Sequence, residues 1–143
     1  MTVRGIRNNN PLNLEYGPFT RQFGATGSDG RFAIFPTMAM GIRAAAENLI
    51  GYEENHGIDT IQGTIERWAP GNENNVAAYV AFVCHVCEVR PNDRLDFHNR
   101  DVLYWLITAM GEEECGTDEF THGVTDSDLE AGIANALASG NGR

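Results

Sequence analysis

The chain has 143 residues, a net charge of −10 and 42% apolar residues, which suits one globular domain around a single hydrophobic core. No apolar run approaches the roughly 20 residues of a membrane span, and the acidic balance disfavours a general nucleic-acid binder. The charge is uneven: residues 1–46 hold five Arg against Glu15 and Asp29, and 18 of the 20 acids lie after residue 46.

Residues 1–36 are rich in Asn, Gly and Pro and read as irregular chain with two short strands, Leu12–Tyr16 and Arg31–Phe35. The glycine-rich GATGSDG (24–30) between them reads as the turn of a small hairpin. From Pro36 the apolar spacing becomes helical. Thr37 is placed to cap a first helix running to Glu54, with Ile42, Ala45, Leu49 and Tyr52 on one face and Gly57 as its stop. Asp59 is placed to cap a short helix, Thr60–Trp68. A third, capped by Asn74 or Asn75, reaches Val89 through Val76, Tyr79, Val80 and Val83. A fourth runs from Asn99 to Glu114 and stops at Cys115–Gly116. Asp126 opens a fifth, and the terminal SGNGR (139–143) is expected to fray. The expected fold class is mainly α, an α+β arrangement of about five helices with a small N-terminal β-hairpin, in a single domain over 1–143.

Several segments carry residues capable of chemistry. Glu112, Glu113 and Glu114 end an apolar helix, where three adjacent carboxylates oppose the negative end of the helix dipole. Glu114 shares a side with Val102, Ile107 and Met110, so it can lean towards a cleft and act as a general acid; a plain surface acid is the alternative. Cys84 and Cys87 of CHVC share an apolar helix face and read as core packing. Cys115 leaves the cysteine count odd, which fits free thiols. Asp29 sits on a tight turn, usually a structural place. Trp68, beside a proline stop, is either core or a sugar-stacking platform. The four histidines show no metal-ligand spacing, and the polar N-terminus shows no signal peptide.

Four blocks in order, RGIRNNNPLN (4–13), GSDGRFAIFPTMAMGIRA (27–44), TIERWAPGNENN (64–75) with Tyr79 after it, and AMGEEECG (109–116), resemble a family of small phage virion structural proteins and endolysins with a lysozyme-like fold. The last block is similar to the catalytic helix of phage-type lysozymes, there followed by a hairpin. Here the hairpin comes first, so the resemblance implies a circularly permuted order. It implies an enzyme, a muramidase or lytic transglycosylase, that cleaves the β-1,4 bond of peptidoglycan. Glu114 would be the general acid, with Glu113 as the neighbouring alternative and Asp29 or Glu15 as a second carboxylate. Asn8, Asn9, Asn10, Asn13, Arg31 and Trp68 would bind the sugars, although amides also fix turns. No cofactor and no metal are implied. The expected partner is the peptidoglycan glycan strand, met by a monomer, with no nucleic acid and no membrane. Such a protein is made in the host cytoplasm and acts at the cell wall, released at lysis or carried in the virion. Leu12, Glu15 and Glu112 depart from the family pattern, which has Gly at the first and basic residues at the other two. Two other readings are a non-catalytic virion or wall-binding protein on the same scaffold and an acidic inhibitor that mimics nucleic acid to block a host enzyme.

Overall fold

A computed structural model describes residues 2–69 and 73–139. Among these the chain is mainly helical, as the apolar periodicity predicts, with one two-stranded antiparallel hairpin near the start. The elements in order are α1 (Arg4–Arg7), α2 (Pro18–Gln22), β1 (Gly27–Ser28), β2 (Ala33–Ile34), α3 (Met38–His56), α4 (Ile61–Trp68), α5 (Glu73–Cys87), α6 (Arg100–Cys115), α7 (Thr117–Gly123) and α8 (Asp126–Ala138). The five expected helices are α3, α4, α5, α6 and α8. The other three are short, and each lies where apolar spacing is too brief to show a helical period.

The hairpin differs from expectation. Gly27 pairs with Ile34 and Ser28 with Ala33, so the first strand lies inside the segment read as the turn. Leu12–Tyr16 contributes only an isolated bridge, Glu15 to Phe32. Its apolar residues serve the core instead: Leu12 is fully buried and Leu14 nearly so. That burial is the use this chain makes of Leu12.

Helix caps follow side-chain geometry more closely than charge. Thr37 accepts a hydrogen bond from the Met40 N–H, as expected, and Gly57 ends α3 in the left-handed region at φ 66°. At α4 the cap is Thr60, which accepts from Gly63 N–H, while the expected cap Asp59 pairs with Arg94 at 2.7 Å. At α8 the cap is Thr125, in a reciprocal box with Asp128, one residue before the expected Asp126. Asn74 and Asn75 both fall within α5 and not before it. That helix stops at Cys87, short of Val89, because Glu88 turns left-handed at φ 57°. At the chain end, residues 140–143 lie outside the described residues. Ser139 is held, not frayed: its hydroxyl donates to the buried Glu47 carboxylate at 2.7 Å.

The core gathers Ile42, Leu49 and Ile50 of α3, Ile61 and Ile65 of α4, Val83 of α5, Leu103, Leu106, Ile107 and Met110 of α6 and Ile133 of α8, closed by Phe35 and Phe97. Helix α8 lies along α3 at backbone contact, since a Cβ on Gly132 would stand 2.7 Å from the Ala39 carbonyl oxygen. The first turn of α3 also touches the N-terminal segment. A Cβ on Gly41 would stand 1.8 Å from the Asn9 carbonyl oxygen, so only glycine admits that approach.

The connection from α5 to α6 is fastened to the end of α3 by His98. Its Nδ1 lies 2.6 Å from Glu53 and its Nε2 3.0 Å from Glu54, with Asp96 at 3.7 Å. The hydrogen bond to Glu54, with help from Glu53, raises the His98 pKa above its ordinary 6.5 against a smaller opposing effect of burial. A pKa raised by folding means that the folded state holds the proton more tightly. The stabilisation is therefore complete below the unfolded value near 6.5 and is lost as pH rises through the higher folded value. Thermal melts of the parent chain should show this decline as pH rises above about 6.5, and His98→Gln should flatten it. An unchanged slope in that variant would remove His98 as the cause.

Candidate active site

The RNNNPLN segment is built as a knot of amides. Asn10 is buried, donates to the Leu14 and Ala33 carbonyls at 2.9 Å each, and accepts from Leu14 N–H at 3.0 Å. Asn9 takes a left-handed φ of 54° and donates to the Phe35 carbonyl at 3.0 Å. Asn8, also buried, donates to Asp29 at 2.9 Å. These three side chains therefore tie the N-terminal loop to the hairpin.

Asp29 is fastened in the same network. It accepts from Asn8, from the Arg31 and Phe32 N–H groups at 3.1 and 2.8 Å, and pairs with Arg4 at 2.6 Å. The Asn8 hydrogen bond, with the backbone donors and Arg4, holds its carboxyl far below the usual range. A group so firmly ionised is a turn lock and a poor proton carrier.

Asn13 differs. It too has φ 54°, but its Nδ2 donates to Glu114 Oε1 at 3.0 Å, across 101 residues of sequence. The other carboxylate oxygen, Oε2, accepts from the Tyr79 hydroxyl at 3.0 Å. Helix α6 delivers Glu114 one turn past buried Met110 and Gly111, and α5 delivers Tyr79 from its buried face. Burial first, and then the neighbouring Glu114 carboxylate, push the Tyr79 hydroxyl pKa far up, so it stays a protonated donor. Among the described residues Asn13 Oδ1 is buried with no partner. An unpaired buried oxygen costs stability, here at the residue that orients Glu114.

Glu114 faces a cleft of about 500 Å³. One wall is Leu12, Asn13, Leu14 and Glu15, and the hairpin adds Arg31 and Phe32. The opposite side is Asn48 and Tyr52 of α3 with Trp68 and Ala69 at the end of α4. Trp68 packs edge-on against Tyr52 with ring centroids 6.1 Å apart, so it is a half-buried cleft wall and not core. Arg31 pairs with Glu15 at 3.1 Å and lies 4.7 Å over the Phe32 ring. Glu113 is exposed and does not line the cleft. Burial and the adjacent Glu114 raise its pKa.

Of the ten residues expected at a site, the cleft thus collects Glu114, Glu15, Asn13, Arg31 and Trp68. Asn8, Asn9, Asn10, Asp29 and Glu113 lie outside its lining. Two wall residues, Asn48 and Tyr52, carry no site signal in the sequence except helical spacing, since each shares a face with core residues. Cys84 is buried as expected and the three thiols are free. Burial pushes Cys115 up to about 12, and its Sγ donates to the Pro11 carbonyl.

What this arrangement supplies chemically is one carboxyl group with both oxygens engaged, at the floor of a polar groove walled by aromatic rings and amides. Such walls suit sugars, whose faces stack on rings and whose hydroxyl and acetamido groups need paired donors and acceptors. No helix is long and apolar enough to cross a membrane among the described residues. No family model matches the chain. It is 35% identical over 138 residues to Protein P5 of Pseudoalteromonas phage PM2, an alignment covering 92% of this chain and 82% of that relative.

Proposed function

The chain belongs to the family of Protein P5 of Pseudoalteromonas phage PM2, and from that premise we propose that it is a bacteriophage enzyme that cleaves the β-1,4 glycosidic bond of peptidoglycan. The observation that carries this reading is the meeting of Glu114 and Asn13 in one cleft, 101 residues apart in sequence. That meeting also agrees with the permuted lysozyme-like order which the four sequence blocks suggest.

Glu114 is the general acid. Asn13 Nδ2 can only donate, so it keeps Oε1 as an acceptor. Tyr79 can donate to Oε2 or accept from it, so Oε2 is where a proton is held and released. Protonation of the bridging oxygen lets the leaving sugar depart as an alcohol. The remaining carboxylate near the cleft, Glu15, is paired with Arg31. That favours the route needing one acid. The substrate's own acetamido oxygen attacks the anomeric carbon as the bond breaks. The Glu114 carboxylate then takes the proton of the sugar's 6-hydroxyl, whose oxygen bonds to the anomeric carbon, displaces the acetamido oxygen and closes an anhydro ring. The atoms balance without water. The wall would be met outside the cytoplasm, on release at lysis or from the virion.

Incubating purified peptidoglycan with the chain tests this. Soluble fragments ending in an anhydro sugar, lighter by one water than hydrolysis products, are the expected result. Fragments with a reducing end would make it a hydrolase. No release by folded protein would sink the enzymatic reading. That outcome would favour a non-catalytic virion protein on the same scaffold, a reading the exposed acids Glu113 and Glu119 support, because they repel an anionic wall.

A further inference from the structure

Away from the cleft, the last turn of α3 sets Glu53 and Glu54 at the negative end of the helix dipole, an unfavourable place for acids. The segment preceding α6 brings Asp96 and His98 to them. His98 Nδ1 lies 2.6 Å from Glu53 Oε1 and 3.7 Å from Asp96 Oδ1. One ligand atom from each of Glu53, Asp96 and His98 lies within 4.8 Å of the other two. Each is aimed by a second contact. Glu53 Oε2 accepts from Phe97 N–H at 3.0 Å, which turns Oε1 to the imidazole. Asp96 Oδ1 accepts from His98 N–H at 2.9 Å. On the far side of the ring, Nε2 meets Glu54 Oε2 at 3.0 Å.

We propose that Glu53, Asp96 and His98 bind a divalent transition cation of the zinc or manganese class. One imidazole and two carboxylates suit those ions. Bonds of about 2.1 Å at tetrahedral or octahedral angles need ligand atoms about 3–3.5 Å apart, a spacing the three atoms reach by sub-ångström shifts once the Nδ1 proton leaves. Glu54 is the outer carboxylate. By accepting from Nε2–H it fixes the tautomer that leaves the Nδ1 lone pair facing the ion. The ion would offset the acids at the end of α3 and clip that helix to the chain before α6. None of the four residues lines the cleft, so the site serves the fold independently of sugar chemistry. A proton and a metal compete for Nδ1, so affinity falls as pH is lowered.

The test is calorimetric titration of the chelator-treated full chain with zinc chloride and, separately, manganese chloride, with thermal melts beside it. One cation per chain, a higher Tm and weaker binding at lower pH are expected. Asp96→Asn, an exposed change outside any helix, should weaken binding at least about tenfold with circular dichroism unchanged. Glu54→Gln should weaken it by about 10–100-fold. Absence of saturable heat and of any Tm shift overturns the proposal. So does binding that is unaltered in both Asp96→Asn and Glu53→Gln, which would assign the ion to the cysteines or elsewhere.

Discussion

Glu114→Gln should lower peptidoglycan cleavage by on the order of 10³-fold, the usual reach of one acid–base group, and leave the fold intact. The two effects separate because glutamine keeps the geometry. Its amide oxygen can replace Oε1 and accept from Asn13, while its NH₂ donates to the Tyr79 oxygen, which can reverse its role. Asn13 and Tyr79 each keep a bond to the side chain, and the transferable proton is lost. Stability should hold or rise slightly, since one of three consecutive acids leaves the negative end of α6. The Glu113 pKa should also fall, because Glu114 is part of what raises it. The measurements are clearing of a peptidoglycan suspension and a thermal melt. Unchanged clearing with an unchanged melt would take Glu114 out of the chemistry.

Asn10→Ala should act in the opposite way, through the fold. This side chain is 1% exposed and makes three hydrogen bonds to backbone. Its loss strips the Leu14 N–H and the Ala33 carbonyl of the bonds it supplies. The Leu14 carbonyl keeps its bond from Ala33 N–H. Two stranded buried groups at about 1–3 kcal/mol each give a loss of about 3 kcal/mol, or about 10 °C in Tm for a chain of this size. Asn13→Ala, by contrast, removes a bond at the cleft edge and should cost activity before stability. Equal Tm losses in the two variants would contradict the division of labour among these amides.

That division was not legible in the sequence. Asn8, Asn9, Asn10 and Asn13 are identical as residue types, and amides serve turns and sugars equally well. What separates them is which backbone groups fold within reach, a property of the hairpin that encloses three of them. The long helices were legible because Ile42, Leu49, Leu103, Leu106 and Ile107 repeat at helical spacing and Thr37, Gly57 and Asn99 mark their ends. The short strands were not, because two residues of pairing leave no alternating pattern. Leu12 and Leu14 mimic a strand while packing into the core. Glu114 was legible as a residue out of place, a carboxyl on the side of a helix shared with Met110. Its partner Tyr79 was hidden, because a tyrosine at a core spacing carries no mark of the hydroxyl's destination. The cluster at His98 was hidden too, since Glu53 and Glu54 come from 45 and 44 residues away.

The bond between Asn13 and Glu114 also sets an order of events in folding. Closing a loop of about 100 residues costs about 4 kcal/mol of chain entropy, whereas α4 and α5, consecutive in the chain, pack on each other. Local pairs such as α4 with α5 can therefore form before the N-terminal arm docks on α6. A chain still emerging from the ribosome has no Glu114 in its cleft until α6 is made and the arm has closed on it. The Asn13–Glu114 contact thus belongs to the late, long-range part of folding, and no short fragment of the chain can hold it.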